Sequence, residues 1–223
     1  DKKRMSLKIM KLANRPAVDA IWDKPSWQNA PAIIIENHMG RTPEHFPRTM
    51  AKIAYDDEAL YVIFKVDDRY VRAVADSHQG NVCRDSCVEF FFTPGTDTAA
   101  GYFNLEMNCG GTMLFHFQVE PRKDRAVISE SDIRQIEVAH TMPRIVEPEM
   151  NEPVTWQVEY RIPINILEKI HPLAKPASGV SWLGNFYKCG DETSHPHWLT
   201  WAPVDFPTPN FHKPEFFGKL VFA

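Results

Sequence analysis

DSCVEFFFT, residues 85–93, sets a glutamate inside a run otherwise made for burial. Read as a strand, its side chains alternate between two faces. Val88, Phe90 and Phe92 then share one face, and Cys87, Glu89 and Phe91 share the other. A carboxylate buried without a partner costs several kcal/mol. The second face must therefore be wet, or must offer Glu89 a partner.

The same alternation recurs outward from this stretch. TMAKIAYD (49–56) and LYVIFKV (60–66) are joined by Asp56-Asp57-Glu58, a turn composition that predicts a hairpin. YFNLEMN (102–108) puts Phe103, Leu105 and Met107 on one face and Asn104, Glu106 and Asn108 on the other. Gly110-Gly111 leads from it into TMLFHFQV (112–119), a second hairpin. WQVEYRIP (156–163), WLGNFYKC (182–189), FGKLVF (217–222) and the opening SLKIMKL (6–12) complete the set. One short helix is predicted after Pro163, with Ile164, Leu167 and Ile170 facing inward. Pro-rich loops at 41–48 and 202–214 are long enough to be binding elements. The expectation is an all-β protein, an antiparallel β-sandwich of immunoglobulin or jelly-roll type, forming one domain over 1–223.

Composition narrows the function classes. The chain has 223 residues, 43% hydrophobic and 12% aromatic, which provides for a sizeable core. Eighteen prolines disfavour long helices. A formal net charge of -4 gives no electrostatic case for nucleic acid or an anionic membrane as partner. No apolar run approaches the roughly 20 residues of a membrane span. The chain begins at Asp1 rather than methionine, and a leader already removed is the expectation. Cys83, Cys87, Cys109 and Cys189 are too few and too irregularly spaced for a disulfide framework, so they leave the compartment open.

If strands 87–92 and 102–108 lie in one sheet, Glu89, Asn104, Glu106 and Asn108 converge. Carboxylates and amides pair with vicinal hydroxyls. Aromatic rings cover the apolar face of a pyranose. This face is therefore suited to sugars, against the alternative of an ordinary solvent face.

The series VCRDSCVEFFFTP, YFNLEMNCGGT, WQVEYRIPINIL, WLGNFYKCGD, HWLTWAPV and NFHKPEFFGKLVF resembles carbohydrate-binding module family nine. VDAIWDKPSWQNA and YDDEALYVIFKVDD are similar to that family too, so the resemblance covers roughly residues 15–223. It implies a β-sandwich that holds a sugar between two tryptophans and bonds its hydroxyls with acidic, amide and basic side chains. By motif, Glu89 falls on the sugar-binding glutamate, and Asn104 and Glu106 on the strand of further polar contacts. The first tryptophan falls at Cys83 and the second near Phe211, so the aromatic clamp is half missing.

The expected ligand-binding set is thus Glu89, Asn104, Glu106, Phe211 and His212, with Trp201 and Asn185 further out. Trp198 and Trp22 are additional platforms to consider, whereas Trp27, Trp156 and Trp182 read as core. Asp56, Asp57, Asp67 and Asp68 are the candidates for calcium, which modules of the family carry. Asp191, His195 and His197 beside Cys189 are donors that a soft metal accepts, although a Pro-held loop explains them as well.

The leading function is non-catalytic binding of a mono- or oligosaccharide, in capture or breakdown of a glycan outside the cytoplasm. The alternatives are a glycoside hydrolase or its accessory domain, using Glu89 and Glu106 as the carboxyl pair, and a haem-binding redox sandwich using Met107, Met113 or His116.

Overall fold

The structure, a computed structural model, describes residues 3–223. In chain order the elements are β1 (Ser6–Lys11), β2 (Ile33–Ile34), β3 (Asn37–His38), β4 (Arg48–Tyr55), β5 (Ala59–Ala73), β6 (Cys87–Thr93), β7 (Tyr102–Asn108), β8 (Met113–Gln118) and β9 (Ala126–Val127). There follow α1 (Glu130–Ile133), β10 (Glu137–His140), β11 (Val146–Pro163), α2 (Ile164–Glu168), β12 (Ser181–Cys189), β13 (Trp198–Thr200) and β14 (Gly218–Phe222).

The strands form one curled sheet, ordered β10-β11-β5-β4-β1-β14-β12-β6-β7-β8-β9. Its two halves face each other as a sandwich. The front half is β14-β12-β6-β7-β8-β9, with β13 on β12 and β3 on β13. The back half is β10-β11-β5-β4, with β2 on β4.

β1 stitches the halves together. Ser6–Ile9 pair with β14, and Met10 and Lys11 then pair with β4. The expected β-sandwich is found, and among the described residues only these two β1 pairings depart from its antiparallel pattern, both being parallel. Alternation fixes which face a residue takes, not the direction of its neighbour. A second short helix, α1, joins the expected one, with Ser129 capping its N-terminus by accepting from Asp132 N.

Period-two alternation fills the space between the halves. Val88, Phe90 and Phe92 from β6 meet Phe103, Leu105 and Met107 from β7, and Trp156, Val158, Tyr160 and Ile162 from β11. Phe90 stacks on Phe186, and Phe92 on Trp182, with ring centroids 4.6 and 5.4 Å apart. Trp27, Trp156 and Trp182 are buried, as their sequence setting predicted. The haem-ligand candidates do not share a face. Met107 and Met113 lie in this core, and His116 lies on the opposite face of β8.

Neither outer face is an open solvent surface. On the back, Glu159 is fully buried because the 17–30 segment folds over it. Its carboxylate accepts from the backbone N–H of Asp19 and Ala20, from Lys24 Nζ and from Trp27 Nε1. Trp22 is packed in that segment, away from the front face. On the front, Met39, Val82, Phe211 and Phe217 pack over Cys87, Phe91, Tyr102 and Tyr187.

A charged chain crosses the core at one end. Lys188 of β12 is fully buried and lies 3.8 Å from Asp68 of β5. It contacts His197 Nε2 at 2.8 Å and donates to Cys189 O. Asp68 accepts from Trp156 Nε1 and from its neighbour's backbone N–H, and pairs with His45 Nε2 at 2.7 Å. Burial alone pushes the Asp68 carboxyl up, but Lys188, His45 and Trp156 together hold it below the usual range. Burial and the Lys188 charge push His197 down to about 3, so it stays neutral.

Candidate functional site

The partner Glu89 requires is another acid. In the β6–β7 register Glu89 stands directly opposite Glu106, both on the outer face of the front half. Cross-strand neighbours of this kind lie close enough for their side chains to meet. The two carboxyls hydrogen-bond one another. On the other side, Cys189 Sγ donates to Glu89 Oε2 at 3.0 Å. Both glutamates are buried, at 2% and 6% exposure, so the expected open face is in fact covered.

Burial raises both carboxyls. Glu89 is held well above the ordinary value, by desolvation first and the neighbouring Glu106 second. Glu106 is pushed up to about 7, since burial outweighs the hydrogen bond from Asn104. The pair therefore keeps a shared proton near neutral pH, and presents one donor beside several acceptors.

Asn104 acts behind Glu106, not beside it. Its Nδ2 donates to Glu106 Oε2 at 2.9 Å, and its Oδ1 accepts from Gln118 Nε2 at 2.7 Å. At 1% exposure, with both ends of its amide occupied, it orients Glu106 and is not among the residues that line the hollow described next.

Above the pair remains a hollow of about 100 Å³. Glu89 and Glu106 line it, together with Cys83, Arg122, Cys189, Asp191, Trp198, Pro209, Asn210, Phe211 and His212. Its walls come from loops. Asn210 Oδ1 accepts from the His212 backbone N–H and fixes that turn. Phe211 stacks on Tyr187 at 4.2 Å. Trp198, half-buried, donates its Nε1 hydrogen to Asp191 Oδ1.

Burial, with Arg122 and Arg125 nearby, pushes His212 down to about 3. The ring is neutral, and its Nδ1 lies 2.7 Å from the Tyr102 hydroxyl. With the phenol donating to Nδ1, the ring proton sits on Nε2.

Of the residues expected from sequence, the hollow collects Glu89, Glu106, Phe211 and His212. It does not collect Trp201 or Asn185. Trp201 turns into the inter-sheet core, edge-on to Phe186. Asn185 is fully buried and spends its amide on Ala202 and Phe186. Arg122 and Asn210 were missed. Both sit in loops where periodicity carries no information, and Arg122 has a left-handed φ of 65°.

The four aspartates do not gather. Asp56 caps the β4–β5 turn through Glu58 N, Ala59 N and Tyr61 OH. Asp57 pairs with Lys11, and Asp67 accepts from Thr155. Asp68 belongs to the buried chain already described. His195, half of the suggested histidine pair, stacks on Tyr70. Its partner His197 is spent on Lys188, and only Asp191 and Cys189 of that group reach the hollow.

The carboxyl pair gives the protein a specific pH signature. Because the folded state holds these protons more tightly, stability is full below about pH 4.5 and falls as pH rises towards about 7. Glu106 alone accounts for about 3 kcal/mol of that loss. Glu106→Gln is expected to flatten the fall in melting temperature over this range; an unchanged slope counts against a shared proton.

The sequence pattern of carbohydrate-binding family 9 matches residues 24–222. No curated protein matches the chain. Among solved structures, a candidate carbohydrate-binding protein from Bacteroides uniformis ATCC 8492 superposes with a TM-score of 0.88 at 28% identity, covering 99% of this chain and 100% of that one. A family 9 carbohydrate-binding module from Caldicellulosiruptor kristjanssonii, in complex with cellotriose, gives 0.65 at 17% identity over 98% of this chain and 93% of the module. Its glucose complex gives 0.64 at 16% over 97% and 95%. With almost all of its residues matched by one family pattern and its fold shared with that family's solved modules, the chain belongs to carbohydrate-binding family 9.

Proposed function

We propose that the chain, as one binding unit over 1–223, holds the terminal residue of a saccharide in this hollow without chemical change. The observation that carries the reading is the facing, buried Glu89–Glu106 pair at the floor of a hollow walled by Trp198 and Phe211. The pair offers a donor and acceptors to neighbouring hydroxyls, and Arg122 adds a charged donor. Trp198 and Phe211 supply the apolar wall for a ring face. A hollow of about 100 Å³ is smaller than an ordinary small-molecule pocket, so the rest of an oligosaccharide stays in solvent.

Contact between the two carboxyls favours binding over hydrolysis. A glycosidase holds its pair about 5 Å or more apart, to admit the scissile bond. Glucose and cellotriose, the ligands of the Caldicellulosiruptor module, are the first probes to use. The setting that fits such a module is outside the cytoplasm, where polymeric glycans are met. No helix among the described residues is long and apolar enough to cross a membrane.

Tryptophan emission tests the assignment. Five of the six tryptophans are buried and do not line the hollow, leaving Trp198 as its reporter. Saccharide is expected to change the emission of the wild-type protein. In Trp198→Phe that change disappears, while calorimetric binding stays within about tenfold. A sugar-induced change that persists in Trp198→Phe argues for a different surface.

A further inference from the structure

The geometry points to a soft-metal site at the floor of the hollow, with Cys87, Cys189 and Glu89 as ligands for a divalent cation of the zinc class. Cys87 and Cys189 stand directly opposite one another in the β6–β12 register, on the same face as Glu89. One ligand atom from each of the three lies within 4.8 Å of the others. The Cys189 Sγ–Glu89 Oε2 separation is already 3.0 Å. Tetrahedral zinc, with about 2.3 Å to sulfur and about 2.0 Å to oxygen, needs donors about 3.5–3.8 Å apart. The separations of up to 4.8 Å differ from that spacing by about 1 Å.

The chemistry of the surroundings favours a cation here. Among the described residues, this is the group of three His, Cys, Asp or Glu donors placed close enough to share a metal. All three are buried, at 0%, 1% and 2% exposure, on strands held by the core and not on loops. The cysteines are not tied up in disulfides. The Asp191 carboxylate lies against the thiols of Cys189 and Cys83, and so is placed to supply or orient a fourth ligand.

Arg122 is the cation lining the hollow, against several acids. Binding transfers the two thiol protons and the Glu89 proton to solvent. The metal gains two thiolates and one carboxylate, leaving the site with one net negative charge beside Arg122. Two thiolates with one carboxylate select zinc-class ions over calcium or magnesium, which take oxygen donors.

Cobalt(II) is the probe, titrated into the reduced full chain at mildly alkaline pH. One equivalent is expected to raise a thiolate-to-cobalt charge-transfer band, and zinc then displaces it. Cys189→Ser and Cys87→Ser each abolish the band, Glu89→Gln weakens cobalt binding at least about tenfold, and Cys109→Ser leaves it intact. Absence of the band in the wild-type protein overturns the assignment, and this needs no variant to fold. A band that survives both serine variants overturns it equally. The titration is run without saccharide, so its outcome and that of the sugar-binding experiments are read separately, although both use Glu89.

Discussion

Glu89→Ala is expected to bind saccharide about 100-fold more weakly than the wild-type protein, or not measurably, in calorimetric titration with cellotriose. Hydrogen bonds to a charged group contribute about 1.5–3 kcal/mol each. A sugar that uses Glu89 through two hydroxyls loses both, and it also loses the shared proton that gives the pair its donor. Glu89→Gln is the refined comparison. It keeps the shape and a hydrogen-bonding end, removes the acid, and is expected to fall between the other two proteins. Equal affinity in all three proteins removes Glu89 from the site.

The second large effect is on stability and lies away from the hollow. Lys188→Met is expected to lower the unfolding free energy by about 3–5 kcal/mol in denaturant titration, because Asp68 is left charged in the core. Its depressed carboxyl depends on Lys188 more than on any other partner. Asp68→Asn on the Lys188→Met background should recover part of the loss, since it removes the buried charge and leaves one amide oxygen for either Trp156 Nε1 or the Arg69 backbone N–H. Strictly additive losses in this cycle indicate that the two residues are not coupled. The chain holds β5 to β12 across the sandwich, so β6, the strand of Glu89 next to β12, inherits its position from it.

Strands that alternate cleanly were legible in the sequence. β7 is found over the 102–108 stretch that its alternation marks, and β6 carries Phe90 and Phe92 inward and Phe91 outward as expected. The first half of β11 was not legible, because Pro148 and Pro153 make EPEMNEP read as loop. The strand continues past them by shifting register between Val146 and Met150 and again between Asn151 and Val154. The pairing of β1 with both halves was also hidden, since nothing in SLKIMKL encodes which neighbours it joins.

In the site, Glu89 and Glu106 were readable as a facing pair because both obey period two. Their seclusion was not. It depends on Phe211 and Phe217 being carried back over the sheet by a Pro-rich loop without periodicity. The same loop geometry turns Trp201 inward, whereas sequence spacing alone made it resemble an exposed platform.

The most direct measurement is a crystal structure of the protein soaked or grown with cellotriose. A terminal sugar ring between Trp198 and Phe211, with hydroxyl oxygens within about 3 Å of both Glu89 and Glu106, is the result expected here. A ligand seated on another surface, with the two glutamates still bonded only to each other, to Asn104 and to Cys189, contradicts the account.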